Sequence, residues 1–126
     1  MARIVIIDDQ EPIRRLARRI LEREGHRVMD ASDGEMGLQI VVRHGADLVI
    51  TDIFMPGQDG IVTLLELRKK YPNLKVIVIS GGDTTGRLDL RQDAVALGAV
   101  QSLPKPFTAD ELIQVVRATL NPEAGR

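Results

Sequence analysis

Residues 3–31, RIVIIDDQEPIRRLARRILEREGHRVMDA, decide the fold because their hydrophobic pattern changes twice. The run at 3–7 is continuously apolar, as expected for a strand that is buried on both faces of a parallel sheet. Between 13 and 21 the apolar residues recur at helical spacing, with Pro12 in a first-turn position. A weaker apolar run follows at 27–31. The stretch therefore predicts a strand, a crossover helix and a second strand.

The same alternation continues along the chain. Apolar runs rich in Val and Ile predict strands at 47–51 and 75–79, and a weaker edge strand at 100–103. Helical spacing predicts four more helices, marked by Leu38, Val41 and Val42, by Ile61, Leu64 and Leu65, by Leu90, Ala94 and Leu97, and by Leu112, Val115, Val116 and Leu120. The last helix opens with a capping-box pair, Thr108 and Glu111.

Five strands that alternate with five helices predict an α/β fold, because each parallel connection needs a crossover. We expect a flavodoxin-like, doubly wound five-stranded parallel sheet in the order 2-1-3-4-5. The length of 126 residues and the hydrophobic content of 44% fit one domain over 1–126, and no stretch resembles a linker to a second domain.

The charge balance limits the classes of partner. The chain has 17 Lys and Arg against 18 Asp and Glu, so no global basic field attracts nucleic acid or an anionic membrane. A local basic cluster, Arg14, Arg15, Arg18 and Arg19, is either a solvated helix face or a nucleic-acid patch, and the helix face is the simpler interpretation. There is no cysteine and no apolar run near the roughly 20 residues that cross a bilayer. We expect a cytoplasmic protein without direct nucleic-acid or membrane binding.

Polar residues follow the strands at the edge where open α/β sheets bind ligands. Asp8 and Asp9 follow the first strand, Asp52 the third and Ser80 the fourth, and Lys105 comes shortly after the fifth. In the predicted order these four strands are consecutive, so the five side chains should converge. A single Asp after a strand is usually a cap or turn residue. Three together repel, by roughly 4 kcal/mol for two carboxylates about 4 Å apart at an effective dielectric of about 20, so the cluster predicts a bound cation.

Oxygen ligands favour a hard ion such as Mg²⁺ and disfavour zinc. The two histidines, His26 and His44, are expected at the surface toward the opposite rim. Because Mg²⁺ often shares its coordination sphere with a phosphoryl oxygen, the cluster indicates phosphoryl transfer, with a carboxylate as a possible nucleophile. Lys105 would neutralise charge on the transferring group, and Ser80 could donate a hydrogen bond to it.

A different phosphate site is suggested by the stretch GGDTTGRL at 81–88, which follows an apolar run. A P-loop has two glycines separated by four residues and then Lys and Ser or Thr. Gly81 and Gly86 have that separation, but Arg87 and Leu88 stand in the last two positions. A P-loop-like nucleotide-binding protein is therefore the weaker alternative.

Two further alternatives remain. A phosphatase with an Asp nucleophile would need a second Asp two residues after Asp52, where Phe54 stands. A scaffold that binds partners without being phosphorylated would not need the five convergent polar residues.

Four segments together resemble the receiver domains of two-component response regulators. They are RIVIIDD at 3–9, DLVITDIFMPGQDG at 47–60, VIVIS at 76–80 and GAVQSLPKPF at 98–107. The resemblance covers nearly the whole chain and includes no output domain. It implies that Asp52 accepts the phosphoryl group.

The resemblance also implies how a metal would be held. Asp9, Asp52 and the backbone carbonyl of Phe54 would ligate Mg²⁺ directly, and Asp8 would hold a coordinated water. Ser80 and Lys105 would contact the phosphoryl group, and Lys105 would pair with Asp52 in the resting state.

Implied partners are a histidine kinase or a histidine phosphotransfer protein, and an unknown downstream protein. Such a domain assists its own phosphorylation and dephosphorylation and is a switch rather than a metabolic enzyme. Its output face would comprise the fourth helix, the fifth strand and the fifth helix. We expect a monomer or a weak dimer.

The switch region departs from the family pattern. Many receivers carry Tyr or Phe three residues before the lysine, where this chain has Ser102. We therefore expect Ser80, Gly81 and Gly82 to begin a loop that changes shape in place of an aromatic switch. Pro106 directly follows the lysine, and a cis bond is plausible there.

Overall fold

Five strands and four helices form the described part of the chain. The computed structural model describes residues 1–53, 60–80 and 101–121, and for residues 60, 61 and 80 it describes the backbone alone. The strands are β1 (Arg3–Ile7), β2 (Arg27–Ala31), β3 (Leu48–Asp52), β4 (Lys75–Ser80) and β5 (Gln101–Pro104). The helices are α1 (Glu11–Arg23), α2 (Gly34–His44), α3 (Gly60–Lys70) and a C-terminal helix (Ala109–Leu120).

The sheet has the order β2-β1-β3-β4-β5, and every pair of neighbours is parallel. The flavodoxin-like topology predicted from the sequence is confirmed, and β5 is an edge strand as expected. The fourth predicted helix, marked by Leu90, Ala94 and Leu97, lies outside the described residues. No described helix is long and apolar enough to span a membrane.

The sheet is buried on both faces, which explains the continuous apolar runs. Alternate strand residues point to opposite sides, so each run contributes to two separate core layers. One layer, packed against α2 and α3, includes Val5, Ile7, Leu38, Val41, Val49, Leu64, Leu67, Val76 and Val78. The other, packed against α1 and the C-terminal helix, includes Ile4, Ile6, Ala17, Leu21, Leu48, Ile50, Ile77, Ile79, Leu112 and Val116.

Some apolar residues that mark the helices lie at the surface instead of in these layers. Leu16, Val42 and Leu65 are 50%, 59% and 45% exposed. The exposure of Leu16 follows from helix geometry, because successive residues are about 100° apart around a helix and point in different directions. Ala17 and Leu21 bury the inner face of α1, and Leu16 is turned away from the sheet.

Helix α2 packs unusually closely on the end of β1. A Cβ atom at Gly37 would overlap the side chain of Ile7, which is fully buried. Glycine allows this close approach, whereas a larger residue would require the Ile7 side chain, the helix or the strand to move. The contact fixes the last residue of β1, directly before Asp8.

The basic cluster on α1 is largely paired with acidic groups. Arg14 Nε and Arg18 Nη1 lie 2.9 and 3.0 Å from the two carboxylate oxygens of Asp30 on β2. Arg15 pairs with Glu11 one turn earlier in the helix. The cluster thus stabilises the packing of α1 on β2, in addition to forming a solvated face.

His26, which the sequence places at the surface, is partly buried and hydrogen-bonded in the structure. Its Nδ1 accepts a hydrogen bond of 3.1 Å from the backbone N–H of Ala2. Burial lowers the pKa of His26, and the positive N-terminus and Arg117 lower it further against the opposing effect of Glu24. A protonated Nδ1 could not accept this bond, so the folded state favours the neutral ring.

Stability should therefore fall when His26 must be protonated. Neutral His26 contributes its full stabilisation of the folded state above the ordinary histidine pKa of about 6.5. As the pH falls below that value, the unfolded chain binds a proton that the folded chain resists, so the free energy of unfolding decreases. We expect His26→Asn to flatten the dependence of the free energy of unfolding on pH between about 7.5 and 5.5. The effect should be on the order of one hydrogen bond, about 1 kcal/mol.

Urea unfolding at several pH values measures this effect. His44→Asn, at an exposed histidine, controls for the loss of an imidazole as such. The assignment would be refuted if His26→Asn retained the full wild-type slope.

Candidate functional site

Three carboxylates meet beyond the ends of two neighbouring strands. Asp8 and Asp9 follow β1, and Asp52 is the last residue of β3. The register aligns Ile7 with Thr51, so the two strands end side by side. One carboxylate oxygen from each Asp lies within 4.8 Å of the others. Asp8 and Asp52 are buried, and Asp9 is exposed.

Lys105 reaches into this cluster from the loop after β5. Its Nζ donates a hydrogen bond of 2.8 Å to Oδ2 of Asp52 and one of 3.0 Å to Oε1 of Gln10. The same Nζ lies 2.8 Å from Oδ2 of Asp8. The peptide bond between Lys105 and Pro106 is cis. The structure therefore brings Asp8, Asp9, Asp52 and Lys105 together.

The lysine is held in its charged form. Burial disfavours the ammonium ion, but hydrogen bonding and attraction by Asp52 and Asp8 outweigh that effect, so the pKa of Lys105 is raised. Its side chain is only 11% exposed. A charged lysine in this position can neutralise part of the carboxylate charge and any anionic group that joins it.

Asp8 is fixed by several contacts from its surroundings. Its backbone N–H donates to the carbonyl of Ala31, and its own carbonyl accepts from Arg14 Nη1 at 2.8 Å. Oδ1 accepts a hydrogen bond of 2.8 Å from the backbone N–H of Gln10. Oδ2 is buried and lies 2.8 Å from the Lys105 ammonium, with which it forms an ion pair.

This arrangement fits a hard divalent cation. Three carboxylates and one ammonium leave a formal charge of −2, so Lys105 alone does not neutralise the cluster. Buried carboxylates without compensation are costly, and oxygen donors are the ligands that Mg²⁺ prefers. The sequence contains no cysteine, and both histidines lie on segments at the other end of the strands.

The remaining predicted site residues are only partly described. The backbone of Ser80 ends β4 opposite Pro104 on β5, one residue after the pair formed by Asp52 and Ile79. Ser102 is half-buried on β5 and aligned with Val78 of β4. Three other predicted residues, Phe54, Gly81 and Gly82, lie outside the described residues.

The sequence indicated no role at this site for Gln10, and it placed Arg14 only in the basic cluster, but both contact the site residues. Arg14 joins the backbone of Asp8 to Asp30 on β2. Gln10 binds Lys105 across 95 positions of sequence. The position of Gln10 before the first turn of a helix could have indicated another role for its side chain, because Gln is a poor capping residue.

A model of the family described as "Response regulator receiver domain" matches residues 4–117. The chain belongs to this family. Sporulation initiation phosphotransferase F of Bacillus subtilis (strain 168) is 36% identical to this receiver domain over 118 residues, which are 94% of this chain and 93% of the relative.

Solved structures of receiver domains share the fold. A response regulator receiver domain protein from Clostridium thermocellum has 34% identity and a TM-score of 0.87, with 98% of each chain covered. A structure of NtrX from Brucella abortus has 36% identity and a TM-score of 0.89, but the match covers 96% of this chain and only 27% of NtrX.

Membership in the family shows in which kind of process the protein takes part. As a receiver domain, the protein is a phosphoacceptor in two-component signalling and interacts with histidine kinases or phosphotransferases. The family accounts for the polar residues at the strand ends, which the P-loop interpretation of 81–88 leaves unexplained.

Proposed function

We propose that Asp52 is the phosphoryl acceptor of this receiver domain. The observation that carries the proposal is the position of its carboxylate. Asp52 lies at the end of a central strand, buried at 3% exposure, with the Lys105 ammonium 2.8 Å from Oδ2. Two further carboxylates lie beside it.

The transfer is a displacement at phosphorus. A carboxylate oxygen of Asp52 forms the new bond to the phosphorus of a phosphohistidine or of acetyl phosphate, and the bond from phosphorus to the leaving group breaks. The leaving imidazole nitrogen or acetate oxygen retains the electron pair of the broken bond. Lys105 faces the negative charge of the transferred group, and Ser80 would donate a hydrogen bond to it.

The residues that would hold Mg²⁺ are Asp9, Asp52 and the backbone carbonyl of Phe54, with Asp8 acting through a water molecule. When bound, Mg²⁺ would neutralise charge on the phosphoryl oxygens. Asp8 supports this role through its fixed backbone and its buried Oδ2.

The proposed partners are a histidine kinase or a histidine phosphotransfer protein upstream, and an unidentified protein downstream. The downstream protein would bind the face formed by the fourth predicted helix, β5 and the C-terminal helix. Ser102 on β5 supplies no aromatic ring, so the loop that begins with Ser80, Gly81 and Gly82 would transmit the change. We place this receiver domain in the cytoplasm as a monomer or weak dimer, acting catalytically on itself alone.

Chemical mapping tests the acceptor. The protein is incubated with acetyl phosphate and Mg²⁺, the acyl phosphate is trapped by borohydride reduction, and peptides are sequenced by mass spectrometry. We expect the modification at Asp52 and its loss when Mg²⁺ is removed with a chelator. Modification of another carboxylate would contradict the proposal. If neither labelling nor a spectral change with beryllofluoride and Mg²⁺ occurred, the non-phosphorylated scaffold would replace it.

A further inference from the structure

Gln10 occupies a position where its residue type does little for the helix. It is the N-cap of α1, with extended backbone angles, and its side chain makes no capping hydrogen bond. The N-cap side chains of Asp33 and Thr108 do accept such bonds, from Met36 and Glu111. Ser, Thr, Asp and Asn are the residues that stabilise this position. The side chain of Gln10 therefore has another contact to explain it.

That contact is with the lysine of the site. Gln10 Oε1 accepts a hydrogen bond of 3.0 Å from Lys105 Nζ, while the backbone N–H of Gln10 donates to Asp8 Oδ1 at 2.8 Å. One residue thus joins the acidic cluster to the ammonium ion. The backbone of Gln10 is itself held, because its carbonyl accepts from Arg14 N at 3.0 Å as α1 begins.

The surroundings of Lys105 show what this bond does. An ammonium has three N–H donors, and three oxygen atoms lie within 3.0 Å of Nζ, from Asp8, Asp52 and Gln10. The two carboxylates are buried and charged, and Gln10 is exposed and neutral. Attraction to the carboxylates alone would draw the ammonium inward. Among the three acceptors that the described residues give Lys105 Nζ, Gln10 is the exposed one, on the side from which a phosphoryl donor must enter.

We propose that Gln10 is a positioning residue for phosphoryl transfer, holding the Lys105 ammonium at the solvent side of the carboxylates, where it meets the entering phosphoryl group. The inference rests on the proposed function of Asp52 as the acceptor. In the absence of the amide, Lys105 would keep only its two contacts of 2.8 Å with the buried carboxylates of Asp8 and Asp52, and it would lose the exposed acceptor that holds the third N–H direction toward the entering group. The loss of one hydrogen bond to a charged group corresponds to a rate decrease of about tenfold.

The substitution Gln10→Ser separates this role from a structural one. Serine is a good N-cap, and its hydroxyl can accept from the N–H of Ile13, so the urea midpoint should rise. Serine is too short to reach Lys105, so the rate of phosphorylation by acetyl phosphate at saturating Mg²⁺ should fall about tenfold. Stability and rate are thus expected to change in opposite directions. Gln10→Met, which retains the length but lacks the amide acceptor, should lower the rate with little change in the midpoint.

A second readout does not depend on phosphorylation. The ¹⁵N-detected ammonium resonance of Lys105 should shift in both Gln10 variants, measured in protein without any phosphoryl donor. Gln39→Ser, at an exposed glutamine on α2, is the control and should retain the wild-type rate and the wild-type Lys105 resonance.

The outcomes distinguish this inference from the proposal on which it rests. Wild-type rates in both Gln10 variants, or an unchanged Lys105 resonance, would overturn the positioning role while Asp52 remained the acceptor. A rate that fell only together with the urea midpoint would assign Gln10 a structural role and would equally overturn it. Failure of the wild-type protein to be labelled at Asp52 would instead reject the proposed function.

Discussion

Replacing Asp52 by asparagine is expected to abolish phosphorylation. The amide has nearly the same shape as the carboxylate but is not a nucleophile for phosphorus, so transfer from acetyl phosphate in Mg²⁺ should fall to background. Folding should persist, because Lys105 retains Asp8 and Gln10 as neighbours and one of three clustered negative charges is removed.

Phosphate-affinity electrophoresis of the wild type and of Asp52→Asn measures this loss, and urea unfolding confirms that the variant is folded. Asp47→Asn, at an exposed carboxylate beside Arg3 at the start of β1, is the matched control and should be phosphorylated like the wild type. Retention of the acyl phosphate in Asp52→Asn would mean that the acceptor is a different residue.

Replacing Lys105 by methionine is expected to slow transfer by about a hundredfold or more, the usual effect of removing one group that stabilises charge in a transition state. The free energy of unfolding should also decrease, by about 3 kcal/mol, because a buried ion pair loses its cation and Asp8 remains charged and buried. Added Mg²⁺ should stabilise Lys105→Met more than the wild type, since it replaces the missing positive charge.

The loss of stability in Lys105→Met should depend on pH in a way that follows from the pKa of Lys105. Burial lowers this pKa, but Asp52 and Asp8 raise it by more, so the net shift is upward. The stabilising contribution is complete below the ordinary lysine pKa of about 10.4 and is lost only as the pH rises through the higher folded value. The stability difference between wild type and Lys105→Met should therefore stay constant through neutral pH and shrink only in strong alkali. Lys69→Met, at an exposed lysine on α3, controls for the loss of a charge. If Lys105→Met had the same free energy of unfolding as the wild type at neutral pH, the proposed role of the ion pair would be refuted.

The sequence predicted the strand order, and with it which residues meet at the site. Continuous apolar runs identify buried parallel strands, and parallel strands bring Asp8, Asp9 and Asp52 to one edge of the sheet whatever the side-chain details. The presence of Lys105 at that edge follows from the same reasoning.

Local geometry was harder to predict. The bond from Gln10 to Lys105 depends on two side-chain rotamers and on the path of a loop, none of which leaves a periodic signal. Leu16 has the spacing of a core residue but is 50% exposed, since the spacing does not fix which edge of an apolar stripe faces the sheet. The hydrogen bond of His26 was not predicted because its donor is the backbone of Ala2, far away in sequence.

The close packing of Gly37 on Ile7 has a consequence for altering this protein. Ile7 is directly followed by Asp8, so a side chain added at position 37 must displace the Ile7 side chain, α2 or the end of β1. The packing beneath the acidic cluster thus depends on a residue that carries no charge and belongs to none of the predicted ligands. A substitution there could weaken cation binding while every ligand remained in the sequence.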